Sequence, residues 1–375
     1  MHRIFGFLDA HTTEMGEAPL VNQVTAYTCP ERLARERRLL LRGEPLLVGL
    51  SGDLPEPGSH LVHDAGGVPM LVLRPAQGEL RAFLNLCRHR GAQVVSGRGL
   101  GNGRFVCPYH GWTYDRWGAL VAQPCAEGFA DLDRSGLGLR PLPVAERHGL
   151  IFARAAAGPP VDVDAHLAGA EAELAPLGLE TYVPFATVAR TYDINWKLVI
   201  DTFLEAYHVP QLHEGTLSPG ILGTATAWDA FGRGGRLVVA RRSIEAARGR
   251  PEDAWSLLEH AVILYLLFPN TMLIHQIDHV EVVQAYPADA DRSTVTFSLY
   301  TPTAVTTAGA RRHFQTNFDL LVNVVEREDF TLTARMQRGF HAADEATIVY
   351  GCNEPGLAHY HRALDAALAA DPARG

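Results

Sequence analysis

Hydrophobic positions fall into two textures along the chain. From about residue 45 to 155 the apolar runs are short: "PLLVGL" (45–50), "VPMLVLR" (68–74), "RAFLNLC" (81–87) and "GLIFAR" (149–154), with Gly, Pro and Asp turns between them. Runs punctuated in this way predict a small all-β unit. Ahead of it, "PERLARERRLLLR" (30–42) combines helical periodicity with interspersed charge, the pattern of a surface-packed helix. "AAAGPPVDVD" (155–164) reads as a boundary loop. Beyond it, 187–196 is strand-like and a helical stretch starts near 196. Further strands are expected near 236–243, 261–268, 271–285 and 293–301, then a long helix over 309–338 and another over 356–370. Antiparallel-type strands followed by long helices predict an α+β domain. The expected fold class is therefore an all-β domain plus an α+β domain, with an antiparallel sheet and long C-terminal helices in a helix-grip-like arrangement. The expected boundaries are an N-terminal segment 1–44 packing with the second domain, a β domain 45–155, and the larger domain 156–375.

Composition narrows the functional classes. The 375 residues are 47% apolar and 20% charged, enough for a sizeable core. A net charge of −9 and the lack of a basic stripe argue against a nucleic-acid binder. "AVILYLLF" (261–268) is far too short to span a bilayer, and "MHRIFGFLDA" soon meets His11 and Glu14 and fits neither a signal peptide nor an anchor. The expectation is a cytoplasmic protein with no membrane association. "GRGLGNG" (97–103) opens no helix and reads as a turn, not a phosphate loop. Of the five cysteines, Cys29, Cys125 and Cys352 have no ligand-spaced partners and read as ordinary thiols.

The other two cysteines lie in "CRHRGA" (87–92) and "CPYHGW" (107–112). Cys87, His89, Cys107 and His110 could bind one zinc tetrahedrally. They could equally hold a two-iron, two-sulfide cluster, one iron taking both thiolates and the other both imidazoles. The flanks separate the two readings. Zinc fingers usually pair the cysteines in one loop and place the histidines on a helix, whereas here each loop supplies one of each within β texture. A cluster clamped between two loops needs that division. Trp112 and Tyr114 add an aromatic, partly polar wall. Together these features point to an electron-transfer centre.

A second constellation lies in "NWKLVIDTFLEAYHVPQLH" (195–213). Glu205 and His208, three apart, would share one face of a helix. His213 would point elsewhere on a regular helix, but Pro210 should distort or end it and could swing His213 round. Two histidines and one carboxylate with open positions form the site of mononuclear iron(II) centres that activate oxygen. The residues leave the carboxylate open among Asp201, Glu205, Glu326, Glu328 and Asp329. His275 and His279 alternate with apolar residues on a strand, His275 being the better pocket candidate. "HEGTLSPGILGTATAWDAFGRGGR" (213–236) lacks clear periodicity and reads as a lid or a long surface loop.

"CRHRGA" and "CPYHGWTYD" resemble the cluster loops of Rieske non-haem iron oxygenases, and "NWK…E-x-x-H-x-x-x-x-H" with "ED…QRGF" resembles the catalytic domain of the same family. The resemblance covers roughly residues 30 to 365. It implies a Rieske [2Fe-2S] cluster on Cys87, His89, Cys107 and His110, and a mononuclear Fe(II) on His208, His213 and Asp329. The family's acidic residue before the first histidine ligand falls on Glu205, where most members carry Asp. That departure argues against importing a dioxygenase substrate list. Asn195 matches a recurring asparagine near the site, and Asp201 sits beside it as a helix-pairing carboxylate or a proton relay.

The resemblance further implies a head-to-tail homotrimer in which Glu205 links His208 to a cluster histidine of the neighbouring subunit. Electrons would come from NAD(P)H through a reductase, directly or through a ferredoxin, and O2 and a small organic substrate would meet at the iron. The expected activity is a terminal oxygenase that hydroxylates or oxidatively dealkylates an aromatic or otherwise apolar compound. Its pocket would be mostly apolar, lined from 203–231 and the late strands. Cis-dihydroxylation of an aromatic ring uses the same iron site and is the alternative. A pure Rieske electron carrier, the reading from another class, would have no reason to keep His208, His213 and Asp329.

Overall fold

The computed structural model describes residues 1–76, 79–343 and 346–371. The chain forms two compact units, one of Arg37–His166 with Glu171–Val183, the other of Met1–Glu36, Leu167–Ala170 and Pro184–Gly375. No helix among the described residues is long and apolar enough to cross a membrane.

The first unit is built on β-structure, as expected. A five-stranded sheet runs in the order Pro141–Leu142, Arg81–Leu84, Pro69–Leu73, Ser59–Asp64, Arg98–Leu100. A three-stranded sheet places Leu150–Arg154 between Val144–Arg147 and Pro45–Leu50, and a second three-stranded sheet joins Arg104–Val106, Thr113–Asp115 and Leu120–Ala122. Pro45–Leu50 is buried at every position, so its sequence is a continuous apolar run without alternation. Leu71, Phe83, Phe105 and Leu139 form a core into which Cys87, Cys107, Trp112 and Tyr114 are packed.

The second unit carries a seven-stranded antiparallel sheet with long helices, the α+β arrangement expected. Its order is Val183–Tyr192, Ser293–Thr301, Val280–Pro287, Thr271–His275, Ala261–Leu267, Gly234–Arg241, Ile221–Phe231. Four elements differ from the sequence reading. The single strand expected over 271–285 is a hairpin, its turn hidden because the apolar flanks run on either side. The segment 213–236 is not a lid: Ile221–Phe231 is an edge strand, and a register shift between Leu222 and Thr226 erases its alternation. Within that irregularity a Cβ on Gly223 would lie 2.4 Å from the Ala206 carbonyl oxygen, so only glycine lets the strand approach the 202–212 segment.

The helix from 196 ends at Asp201, well before Pro210, and Pro210 opens a separate turn, Val209–Leu212. Proline suits a first helical turn, where its missing N–H is no loss. The long late helix is interrupted as well. Ala308–Val324 and Phe330–His341 are α-helical, with a π-helical turn, Val325–Asp329, between them.

A buried ion pair ties the helix Pro30–Glu36 to Trp196–Asp201. Glu36 is fully buried and accepts from Lys197 Nζ (2.7 Å), Trp196 Nε1 (3.0 Å) and Arg32 Nε (2.9 Å). Burial pushes the Lys197 pKa down, against the pull of Glu36. Removing the carboxylate would leave Lys197 buried without a counter-charge, which costs about 3–5 kcal/mol. Glu36→Ala is accordingly expected to lower unfolding free energy by about that amount, read as a shift of the urea midpoint. An unchanged midpoint would show that Lys197 finds another partner.

Candidate functional site

Two loops of the β-unit close by the same pair of hydrogen bonds. The Cys87 N–H donates to the Ala92 carbonyl (2.8 Å) and the Gly91 N–H to that of Cys87 (2.9 Å). The Cys107 N–H donates to the Trp112 carbonyl (2.8 Å) and the Gly111 N–H to that of Cys107 (3.0 Å). Gly91 and Gly111 have φ of 75° and 73°, the left-handed region that closes such turns without a Cβ clash. Both thiols are buried, and the His89 and His110 rings meet with centroids 4.6 Å apart. Trp112 stacks on His89 at 5.1 Å. The Tyr114 hydroxyl lies 3.3 Å from Cys87 Sγ and accepts the Arg88 N–H (2.9 Å).

Burial raises the pKa of the Cys87 thiol, and His89 Nδ1 is buried with no partner. A buried thiol and an orphaned imidazole nitrogen, both turned towards a second Cys–His pair, fit a cluster that would ligate them. The two cysteines and two histidines would hold a [2Fe-2S] cluster, with Tyr114 placed to hydrogen-bond its cysteine sulfur.

In the larger unit, His208, His213 and Asp329 each offer one ligand atom, and these lie within 4.8 Å of one another. Asp329 Oδ1 is 3.5 Å from His208 Nε2 and 3.3 Å from His213 Nε2. The other ring nitrogens face carboxylates: His208 Nδ1 pairs with Glu205, and His213 Nδ1 with Glu328 Oε2 at 2.7 Å. Nδ1–H donated to a carboxylate leaves both Nε2 lone pairs for a metal. Burial alone would lower the His213 pKa, but Asp329 and Glu328 outweigh it and raise it. The same field attracts a divalent cation. The donor set fits a mononuclear iron.

The ring hydroxylating alpha subunit (catalytic domain) family model matches residues 179–370, and the Rieske [2Fe-2S] domain model matches residues 44–137. The chain belongs to the ring-hydroxylating alpha-subunit family. It is 35% identical over 205 residues to the glycine betaine monooxygenase oxygenase subunit of Pseudomonas aeruginosa, a match covering 54% of this chain and 46% of that one. The match thus spans about half the length of this relative. It is 26% identical over 356 residues to the chloroplastic choline monooxygenase of Arabidopsis thaliana, covering 89% and 80%. Among solved structures it shares the fold of the quaternary ammonium Rieske monooxygenase CntA in complex with its substrate L-carnitine. The TM-score is 0.78 at 19% identity, covering 96% of each chain.

In this alpha subunit a cavity of about 500 Å³ borders His208, His213 and Asp329. Much of the lining is aliphatic, with Val239, Val262, Leu264 and Leu321 among it. Arg241, Gln276, Asp278, His279 and Glu281 add a polar patch to a lining that is otherwise mostly apolar, as expected. The lining continues through Leu237–Glu281, beyond the 203–231 segment. His279 lines the cavity whereas His275 does not, because alternate residues of Thr271–His275 face opposite sides of the sheet.

Asn195 borders neither this cavity nor the one behind the triad. It caps Trp196–Asp201 through Lys197 N–H (3.0 Å) and donates to the Tyr27 and Ala290 carbonyls (2.8 and 2.7 Å). Asp201 accepts from the Tyr27 hydroxyl (2.6 Å) and His361 Nε2 (2.9 Å), beside that second cavity. Glu328, read from the sequence as one candidate ligand among several, serves instead as the acceptor for His213. Its adjacency to Asp329 was the available signal.

Losing a carboxylate that orients a metal-binding histidine typically costs 10–100-fold in metal affinity. Glu328→Ala is therefore expected to lower iron affinity at His213 by about that factor, with labile sulfide content unchanged, in a chelator competition followed by metal analysis.

Proposed function

We propose that the chain is the terminal oxygenase component of a multi-component system and hydroxylates a carbon next to the nitrogen of a small quaternary ammonium compound. The observation that carries this reading is the His208–His213–Asp329 triad bordering a cavity of substrate size. The names of its relatives support the substrate class, specifying glycine betaine, choline and L-carnitine. This reading replaces the aromatic or apolar compound expected from the sequence. The Arg241 guanidinium in the lining is a poor match to an apolar ring, since it would lose water without gaining a partner.

When bound, the iron supplies oxygen activation and the cluster supplies electrons one at a time, drawn from NAD(P)H through a reductase. One oxygen atom enters the substrate and the other leaves as water, consuming two electrons and two protons. The chain's own residues arrange this. Glu205 and Glu328 fix the tautomers of His208 and His213, and these two histidines with Asp329 would hold the iron. Aliphatic residues and Phe203 exclude water from the reacting carbon.

Glu205 borders both cavities beside the triad. In this reading it also carries the electronic link from His208 to a cluster histidine of a neighbouring copy, within a homotrimer. Glu205→Gln is expected to keep three irons and two sulfides per chain yet lose most turnover. Wild-type turnover in that variant would sink the role.

The function itself is tested with anaerobically purified protein, a reductase, NADH and 18O2. The expected result is NADH oxidation coupled to consumption of 18O2 and release of an aldehyde, trapped as its hydrazone, from an N-methylated ammonium compound. A colourless preparation holding one zinc per chain would overturn the reading at its root.

A further inference from the structure

The polar patch of the main cavity holds a cation with no carboxylate in contact. Arg241 ends the strand Gly234–Arg241, on the face that also presents Leu237 and Val239 to the cavity. One terminal nitrogen donates to Gln276 Oε1, a neutral acceptor. Among the described residues no carboxylate lies within ion-pair distance of its guanidinium, and Nε is buried without a hydrogen-bond partner. The nearest acids are already engaged: Glu281 accepts from Gln276 (3.1 Å) and faces His279, and Asp278 pairs with His279 and His313 (each 2.8 Å). Burial pulls the Arg241 pKa down from its ordinary value, against the weaker pull of Glu281 and Asp278. A half-buried guanidinium with one neutral hydrogen-bond partner and no carboxylate in contact gains from a direct anionic partner. Its planar fork suits a carboxylate in two-pronged contact.

We propose that Arg241 is the anion-binding group of this cavity and that the substrate is a zwitterion, its carboxylate on Arg241 and its N-alkyl ammonium towards the triad. The proposal rests on the oxygenase reading above and selects within it. Trimethylammonium acids fit the cavity, and choline, which has no acid group, does not.

The test is calorimetric binding to the holoenzyme of four compounds: glycine betaine, L-carnitine, choline, and 3,3-dimethylbutanoate, which keeps the acid and replaces the ammonium with carbon. At least one of the two trimethylammonium acids should bind about 10–100-fold more tightly than choline, the range expected for a charge-assisted pair. Arg241→Leu and Arg241→Gln should abolish that preference, with iron and sulfide content unchanged, and Arg241→Lys should restore part of it. Equal binding of choline and the acids by the wild type, or a preference that survives Arg241→Leu, would overturn the anion site and leave the quaternary ammonium reading intact. Tight, Arg241-dependent binding of 3,3-dimethylbutanoate with turnover of no ammonium compound would uphold the anion site and sink the ammonium reading. Failure of all four to bind would overturn the proposal.

Discussion

Two consecutive carboxylates hold the two nitrogens of one imidazole, and the catalytic unit is organised around that grip. Glu328 takes His213 Nδ1 and Asp329 faces its Nε2. Adjacent residues on a regular α-helix diverge by about 100°, so such a pair is not natural to one. The π turn Val325–Asp329 supplies the wider backbone. Its cost is a disturbed ladder of carbonyls, and threonines meet part of it: Thr331 donates to the Glu326 carbonyl (3.2 Å) and Thr333 to that of Asp329 (3.0 Å). Glu326, on the same turn, is drawn away by Arg190 and Tyr192. Three acids in five residues thus have three separate tasks.

The opposing segment meets this turn by giving up helical structure. His208 and His213 approach to 5.0 Å between ring centroids because 202–208 is irregular and a single short turn follows it. What keeps an irregular stretch in place is the packing on its flanks. Upstream, the Glu36–Lys197 pair and the Asn195 cap fix the helix that leads into it. Downstream, Gly223 lets the edge strand lie against Ala206, Val209 and Pro210. Behind it, Asp201, Tyr27, Tyr350 and His361 form a buried polar cluster joining four elements. Such a network is specific because each member is satisfied only in one arrangement.

Chemistry was more legible in the sequence than backbone. The four cluster residues could be read because two loops carry the same Cys–His–Gly order, and the structure shows the reason: each Cys opens a turn that the glycine closes. The α+β class was legible from strand runs followed by long amphipathic stretches. The π turn was not, since a five-residue change of helical pitch leaves apolar spacing nearly intact on both sides. The edge strand 221–231 was also hidden, because a bulge of small residues breaks the period of two on which strand recognition depends. Pro210 misled for a local reason. Proline marks a helix boundary without saying which side of it the helix lies on.

Charge gives the cavity a direction. At the triad end Glu205, Glu328 and Asp329 gather around two histidines. Three carboxylates against one divalent ion leave a negative excess, in a region too buried for water to screen it fully. A cationic group is favoured there and an anionic one is not. In the polar patch Glu281 and Asp278 raise the pKa of His279 despite its burial, so those acids are partly answered by their own histidine. Arg241 is left as the charged group with no carboxylate in contact, Glu281 and Asp278 acting on it only from a distance. The cavity is thus negative at the triad and carries a cation without a contacting counter-ion in its lining. A molecule with separated charges has one favoured orientation in such a field, and a zwitterion of the kind proposed would take it with its ammonium towards the triad.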